Sequence, residues 1–119
     1  MGVERRRTIR LSARLLTTFK QANSAAVERA LTRDISGDGV CFVADKMLEP
    51  GTPLEVTLQL PDREGPVTFL GHVIWSRLSL DATHRGSPRT AENAVRFVSI
   101  HPKDRELIMQ YAKLHALPS

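Results

Sequence analysis

Residues 54–60, Leu-Glu-Val-Thr-Leu-Gln-Leu, alternate strictly between apolar and polar side chains. Leu54, Val56, Leu58 and Leu60 fall on one face and Glu55, Thr57 and Gln59 on the other. Successive side chains of a strand point to opposite faces, so this segment is a strand with one buried and one wet face. Turn residues bracket it, Glu49-Pro50-Gly51-Thr52 before and Pro61-Asp62-Arg63-Glu64-Gly65-Pro66 after. Residues 67–77, Val-Thr-Phe-Leu-Gly-His-Val-Ile-Trp-Ser-Arg, are rich in β-formers. The same period of two places Val67, Phe69, Val73 and Trp75 on one face, with Gly71 at a bulge or a close backbone approach. A third β run, residues 94–100, brings Val95 and Phe97 together. Residues 79–93 contain Asp81, Gly86, Ser87 and Pro88 without an apolar period, and read as a long mobile hairpin loop.

The period changes at the C-terminus. Leu107, Ile108, Tyr111, Ala112, Leu114 and Leu117 follow helical spacing; Pro102 suits a first turn. Asp104 and Glu106 favour the positive end of the helix dipole, Lys113 and His115 the negative end. The first forty residues are less regular. Residues 24–33 have good helix propensity taken alone, which is a weak prior. Residues 11–20 alternate poorly but are rich in Leu, Thr and Phe, and residues 40–44 form a short β run after a Gly-rich turn. Short strands, turns and one closing helix imply a mainly β chain, a small antiparallel barrel or sandwich capped by that helix.

At 119 residues, 41% hydrophobic and 25% charged, the chain is the size of one domain. It can bury roughly two-thirds of its unfolded surface. No apolar run approaches the ~20 residues that cross a bilayer, and no apolar stretch follows the basic N-terminus as a signal peptide requires. A cytoplasmic protein without a membrane span is expected. The single cysteine, Cys41, can form neither an internal disulfide nor a zinc cluster, so packing alone holds the fold. Of the formal charge of +4, the first twenty residues carry more than the whole: Arg5, Arg6, Arg7, Arg10, Arg14 and Lys20 stand against Glu4. The remainder is about neutral. An anionic partner at the N-terminal end follows, set against a merely solvated basic tail.

Two local patterns stand out, Arg6-Arg7-Thr8-Ile9-Arg10 and Asp34-Ile35-Ser36-Gly37-Asp38-Gly39. Guanidinium forks grip phosphate oxygens bidentately, stack on purines, or pair with guanine O6 and N7. Asp34 supplies the converse, accepting from guanine N1–H and N2–H. Ser36 can donate to or accept from the base, and Gly39 would let backbone approach the ligand. Together they read as a site for a guanine nucleotide carrying phosphates.

Glu4-Arg5-Arg6-x-x-x-Arg10, Asp34-x-Ser36-x-x-Gly39, Pro50-Gly51-Thr52, Gly71-His72-Val73-Ile74-Trp75, Val95-Arg96-Phe97 and a final helix make the chain resemble a PilZ domain over residues 4–115. The resemblance implies a six-stranded antiparallel split β-barrel with a C-terminal α-helix, from bacteria, that binds the second messenger cyclic di-GMP and catalyses nothing. It divides the chain into a flexible basic arm, 1–10, and a barrel with helix, 11–119. Arg6 and Arg10 would hold phosphates and guanine edges, and Arg5 matches the extra arginine often found before them. Asp34, Ser36 and Gly39 would form the base-recognition turn. Ligand would order the arm, and the new surface would recruit or release a downstream partner or reorient a second copy in a homodimer. Some PilZ domains take an intercalated pair of ligands, which Arg5 and Arg7 suit. No cofactor or metal is implied.

Asp38 departs from the small residue, commonly glycine, that the family often has there. At about 5 Å in a water-like dielectric its repulsion of a dianion is on the order of 1 kcal/mol, roughly fivefold in affinity. The same turn, with Asp45 at its twelfth position, mimics an EF-hand loop. That reading needs helices on both sides, and Val40-Cys41-Phe42-Val43 fills the loop's second half with apolar residues. Neither a nucleophile elbow nor a dinucleotide fingerprint is complete at Ser36-Gly37 or Gly37-x-Gly39. His72, His84, His101 and His115 lack metal-ligand spacing and read as structural or solvent-facing. Phe69, Trp75 and Phe97 read as core, and Cys41 as a small buried residue. Two other functions remain: a PilZ-like interaction module that no longer binds nucleotide, and a small-barrel nucleic-acid binder. The intact arginines and turn count against the first, the near-neutral charge outside the arm against the second.

Overall fold

A computed structural model describes residues 10–61, 65–79 and 90–116. Among the described residues seven strands precede one helix: β1 Leu11–Ser12, β2 Leu16–Gln21, β3 Glu28–Ile35, β4 Gly39–Ala44, β5 Pro53–Leu58, β6 Val67–Leu78, β7 Ala91–Ser99 and α1 Pro102–Ala116. All pairings are antiparallel, in the order β1-β3-β2-β5-β6-β7-β4, and β4 returns to pair with β3. Strands β2 to β7 therefore close into a six-stranded barrel, which leaves no long unpaired edge. The two-residue β1 continues the line of β2 along β3. Thr32, almost fully buried, fills the break between them. Its hydroxyl donates to the Ala13 carbonyl and accepts from the Leu15 N–H.

The alternation in 54–60 emerges as β5, with Leu54, Val56 and Leu58 buried; Leu60 stays buried just beyond the strand's end. Phe19 stacks on Phe42 at 4.8 Å, and Phe69 meets Phe97 edge-on at 4.6 Å. Burying each such side chain contributes about 1.5–3 kcal/mol. Helix α1 adds Ile108 and Ala112, with Leu107 and Tyr111 half-buried beside them, next to Leu11 and Ala13. Leu114 stays exposed. The helix starts on His101, whose Nδ1 accepts the Lys103 N–H at 3.1 Å and whose carbonyl accepts from Asp104 and Arg105.

Two local expectations change. Residues 28–33 of the helix-prone 24–33 segment lie in β3, because ladders with β2 and β4 on either side outweigh the small differences in intrinsic propensity. Residues 91–93, expected in the loop, belong to β7. Asn93 is fully buried there, accepting the Leu48 N–H at 3.0 Å and donating to the Lys46 carbonyl at 3.2 Å. It thereby fastens the connection after β4 to the barrel. Of the rest of the expected mobile loop, the Ser79 N–H donates to the Thr90 carbonyl at 2.8 Å, and residues 80–89 lie outside the described residues.

Candidate functional site: a trough between two bulges

Four strands, β3, β4, β7 and β6, lie side by side, and their registers align residues in rows across the sheet. One row reads Asp34–Cys41–Ala94–Trp75. It lies on the outer face, between two inner rows, Thr32–Phe42–Asn93–Ser76 and Ile35–Val40–Val95–Val73. At each end of the outer row the ladder slips by one residue. Arg33 and Asp34 together stand opposite Cys41, and Ile74 and Trp75 together stand opposite Ala94. Such bulges re-aim side chains. With strict alternation from Ala30 and Thr32, Asp34 would enter the core and Ile35 would leave it. The bulge instead buries Ile35 completely and leaves Asp34 partly exposed.

The result is a concavity of about 570 Å³ with the two small side chains, Cys41 and Ala94, on its floor. Its flanks stand three strand spacings apart, roughly 14 Å. Arg33 and Asp34 form one flank, Ile74, Trp75 and Arg77 the other, and Arg10, Ser36, Asp38, Gly39 and Arg96 complete the wall. Trp75 is 40% exposed, which corrects its expected place in the core; Phe69 and Phe97 do pack there. The Arg77 guanidinium lies 5.0 Å from the centre of the Trp75 ring, a cation–π arrangement.

The Asp34–Gly39 turn is held from four directions. The Ser36 N–H donates to the Gly39 carbonyl at 3.0 Å, and the Ser36 hydroxyl accepts the Asp38 N–H at 3.1 Å. The Phe97 N–H donates to the Asp38 carbonyl, and Arg105 of α1 donates from Nε to the Gly37 carbonyl at 2.8 Å. Ser36 thus spends its side chain on the turn's own backbone, and shapes the site from within. Gly39 also has a packing reason: a β-carbon there would stand 2.0 Å from the Val95 carbonyl oxygen, so β4 and β7 close only around a glycine. Gly71 answers the same need on β6, 2.6 Å from the Arg96 carbonyl.

The arm meets this turn through β1. Leu11 pairs with Ile35 and Ser12 with Asp34, so Arg10 leaves the sheet beside Ser36. Arg10, Asp34, Ser36 and Gly39 are therefore brought together on one concavity. Arg5 and Arg6 lie outside the described residues. Four arginines and two aspartates line the walls, three of those arginines coming from the part of the chain whose charge sums to about neutral, so positive charge is concentrated here. Sequence reasoning missed Arg33, Arg77, Arg96 and Trp75. One signal was present: Trp75 and Arg77 are two apart on a strand and share a face, and a guanidinium that must reach water implies an exposed partner.

On the floor, burial and then the negative charges of Asp34 and Glu92 push the Cys41 thiol up from 9.0 to about 11. It is a protonated small side chain at neutral pH. The EF-hand reading fails because strands, rather than helices, flank the turn.

A closed antiparallel barrel with an arginine- and aspartate-walled trough on its outer face defines a small β-barrel domain. The PilZ domain model matches residues 4–114, and the chain belongs to the PilZ family. PilZ domains are non-catalytic receptors that typically bind cyclic di-GMP. Among solved structures, the PilZ domain of YcgR from Escherichia coli, with c-di-GMP, superposes with a TM-score of 0.69 at 19% identity over 95% of each chain. Bacillus subtilis MotI/DgrA, an inhibitor of motility, gives 0.74 at 19% over 96% of this chain and 52% of its own. The MrkH–c-di-GMP complex of K. pneumonia gives 0.71 at 21% over 96% and 54%. At these identities the likeness shows the fold, and this chain spans about half the length of MotI/DgrA and MrkH. A search of curated proteins finds no match. Among the described residues no helix is long and apolar enough to cross a membrane.

Proposed function

We propose that this chain is a cyclic di-GMP sensor that binds the messenger in the trough and folds its arginine arm, residues 1–10, over it. The observation that carries the reading is the β1–β3 pairing, which puts Arg10 next to the Asp34–Gly39 turn on one shared concavity. The Asp34 carboxylate accepts the N1–H and N2–H of one guanine, a bidentate charge-assisted pair. Arg10 and Arg6 take phosphate oxygens and guanine O6 and N7. Trp75 offers the other flank a stacking face for a base. Free arginines in the arm repel one another; the dianion offsets that repulsion and the arm orders on the remainder of the domain, which we take as residues 11–119, barrel with C-terminal helix. The altered surface signals to a downstream protein or a second copy of the chain. The cytoplasm is the compartment we assign.

Calorimetric titration of the full chain tests this. Cyclic di-GMP is expected to bind, and Arg10→Ala and Asp34→Ala are each expected to weaken binding at least about thirtyfold, the scale of a lost charge-assisted contact. Binding that survives both substitutions overturns the site assignment. Tight, steeply salt-dependent binding of random oligonucleotides, with none of the messenger, replaces the reading with nucleic-acid binding.

A further inference from the structure

Glu92 of β7 sits between two of the trough's arginines. Its Oε2 accepts from Arg33 of β3 and its Oε1 accepts from Nε of Arg77 on β6 at 3.0 Å. The Glu92 side chain is only 12% exposed, whereas Arg33 and Arg77 are 50% and 63% exposed. Both arginines line the trough and Glu92 does not. The carboxylate lies behind them, in an adjoining hollow with Leu31, Val43 and Thr90. Cross-strand pairing fixes it there, with Val43 on one side and Arg77 on the other.

We infer that Glu92 is a positioning residue for anion recognition: from behind, it pins Arg33 and Arg77 to opposite flanks of the trough so that their remaining N–H donors face the ligand. A guanidinium has five N–H donors in a rigid plane, and Glu92 engages only part of each fork. An arginine on a flexible stem must be ordered before it can hold a phosphate, and a largely buried carboxylate does this ordering before the ligand arrives. The arrangement also keeps Arg77 over the Trp75 ring. The triad keeps a net charge of +1, so the trough stays attractive to anions. This inference rests on the cyclic di-GMP reading for its ligand but not for its geometry.

The experiment has two arms. In the free protein, NMR relaxation of the arginine Nε–H groups is expected to show Arg77 ordered in the wild type and mobile in Glu92→Gln, with the melting temperature as a control for folding. In titrations with cyclic di-GMP, Glu92→Gln is expected to weaken binding about tenfold, within the usual range for coupled neighbours. Adding Glu92→Gln to a variant already carrying Arg33→Ala and Arg77→Ala is expected to change affinity less than about twofold, because nothing remains to be positioned. Unchanged or tighter binding by Glu92→Gln overturns the inference, as does an Arg77 equally ordered with and without Glu92. A wild-type chain that ignores the messenger while Arg77 still depends on Glu92 overturns the nucleotide reading and supports the positioning role.

Discussion

The outer row Asp34–Cys41–Ala94–Trp75 and the inner row Ile35–Val40–Val95–Val73 cross the same four strands, yet one is a charged trough and the other is core. On β4 and β7 they are offset by a single residue. In the inner row all four side chains are apolar and at most 4% exposed. In the outer row the two middle positions are small and the two ends are bulged. A barrel of this size has no interior room for a ligand, because side chains fill it. On the proposed reading a ligand is taken up outside, where the fold makes an exterior hollow by placing small residues between widened flanks.

Four changes break or sharpen this contrast. Phe42→Ala, on the inner face beside the trough, is expected to cost about 3–5 kcal/mol, since it empties a fully buried site stacked on Phe19. Urea denaturation measures this, and a loss below about 1 kcal/mol would show that the inner rows do not carry stability. Trp75→Ala, on the outer face, is expected to cost less than about 1 kcal/mol in the same assay. It should nevertheless weaken cyclic di-GMP binding about tenfold, in line with a lost base stack; a large stability loss with intact binding would return Trp75 to the core.

Cys41 sharpens the boundary between the rows through pH. Its folded thiol is raised to about 11 from 9.0, so the unfolded chain releases the proton first. The thiol's contribution to stability is intact below about pH 9 and is lost as pH rises through about 11. Comparing urea midpoints at pH 8 and pH 10.5, the wild type is expected to fall further than Cys41→Ala. Identical falls would mean that the floor of the trough is wetter than its burial indicates. The smallest effect concerns Asp38, which lines the trough. Asp38→Asn is expected to tighten cyclic di-GMP binding roughly fivefold, about 1 kcal/mol of relieved repulsion, and weaker binding in that titration would give Asp38 a contact of its own.

Much of the barrel was legible in residues. The alternation of Leu54, Val56 and Leu58, the aromatic run through Phe69, and the helical spacing of Ile108 and Ala112 each report a period set by backbone geometry. The arm and turn motifs were legible as chemistry, because arginine forks and an Asp-x-Ser-x-x-Gly turn have few uses in common. What period alone misplaced was Trp75. No glycine or proline at position 74 announces a bulge; the slip exists only relative to β7, a strand about twenty residues away. Asn93 was misplaced for a related reason: its burial depends on partners at Lys46 and Leu48, far away in the sequence.

The chain's own order of residues determined that it would be a β domain closed by a helix, and that guanidinium and carboxylate chemistry would lie near its N-terminus and in the turn after β3. Local periodicity and side-chain chemistry are properties of short segments, and short segments suffice to read them. Only the tertiary structure decided that Arg33, Arg77, Arg96 and Trp75 join that chemistry, that Gly39 is required by the Val95 carbonyl, and that Glu92 stands behind two of the arginines. Those facts depend on register between strands distant in sequence, and one residue of slip reverses which face a side chain takes.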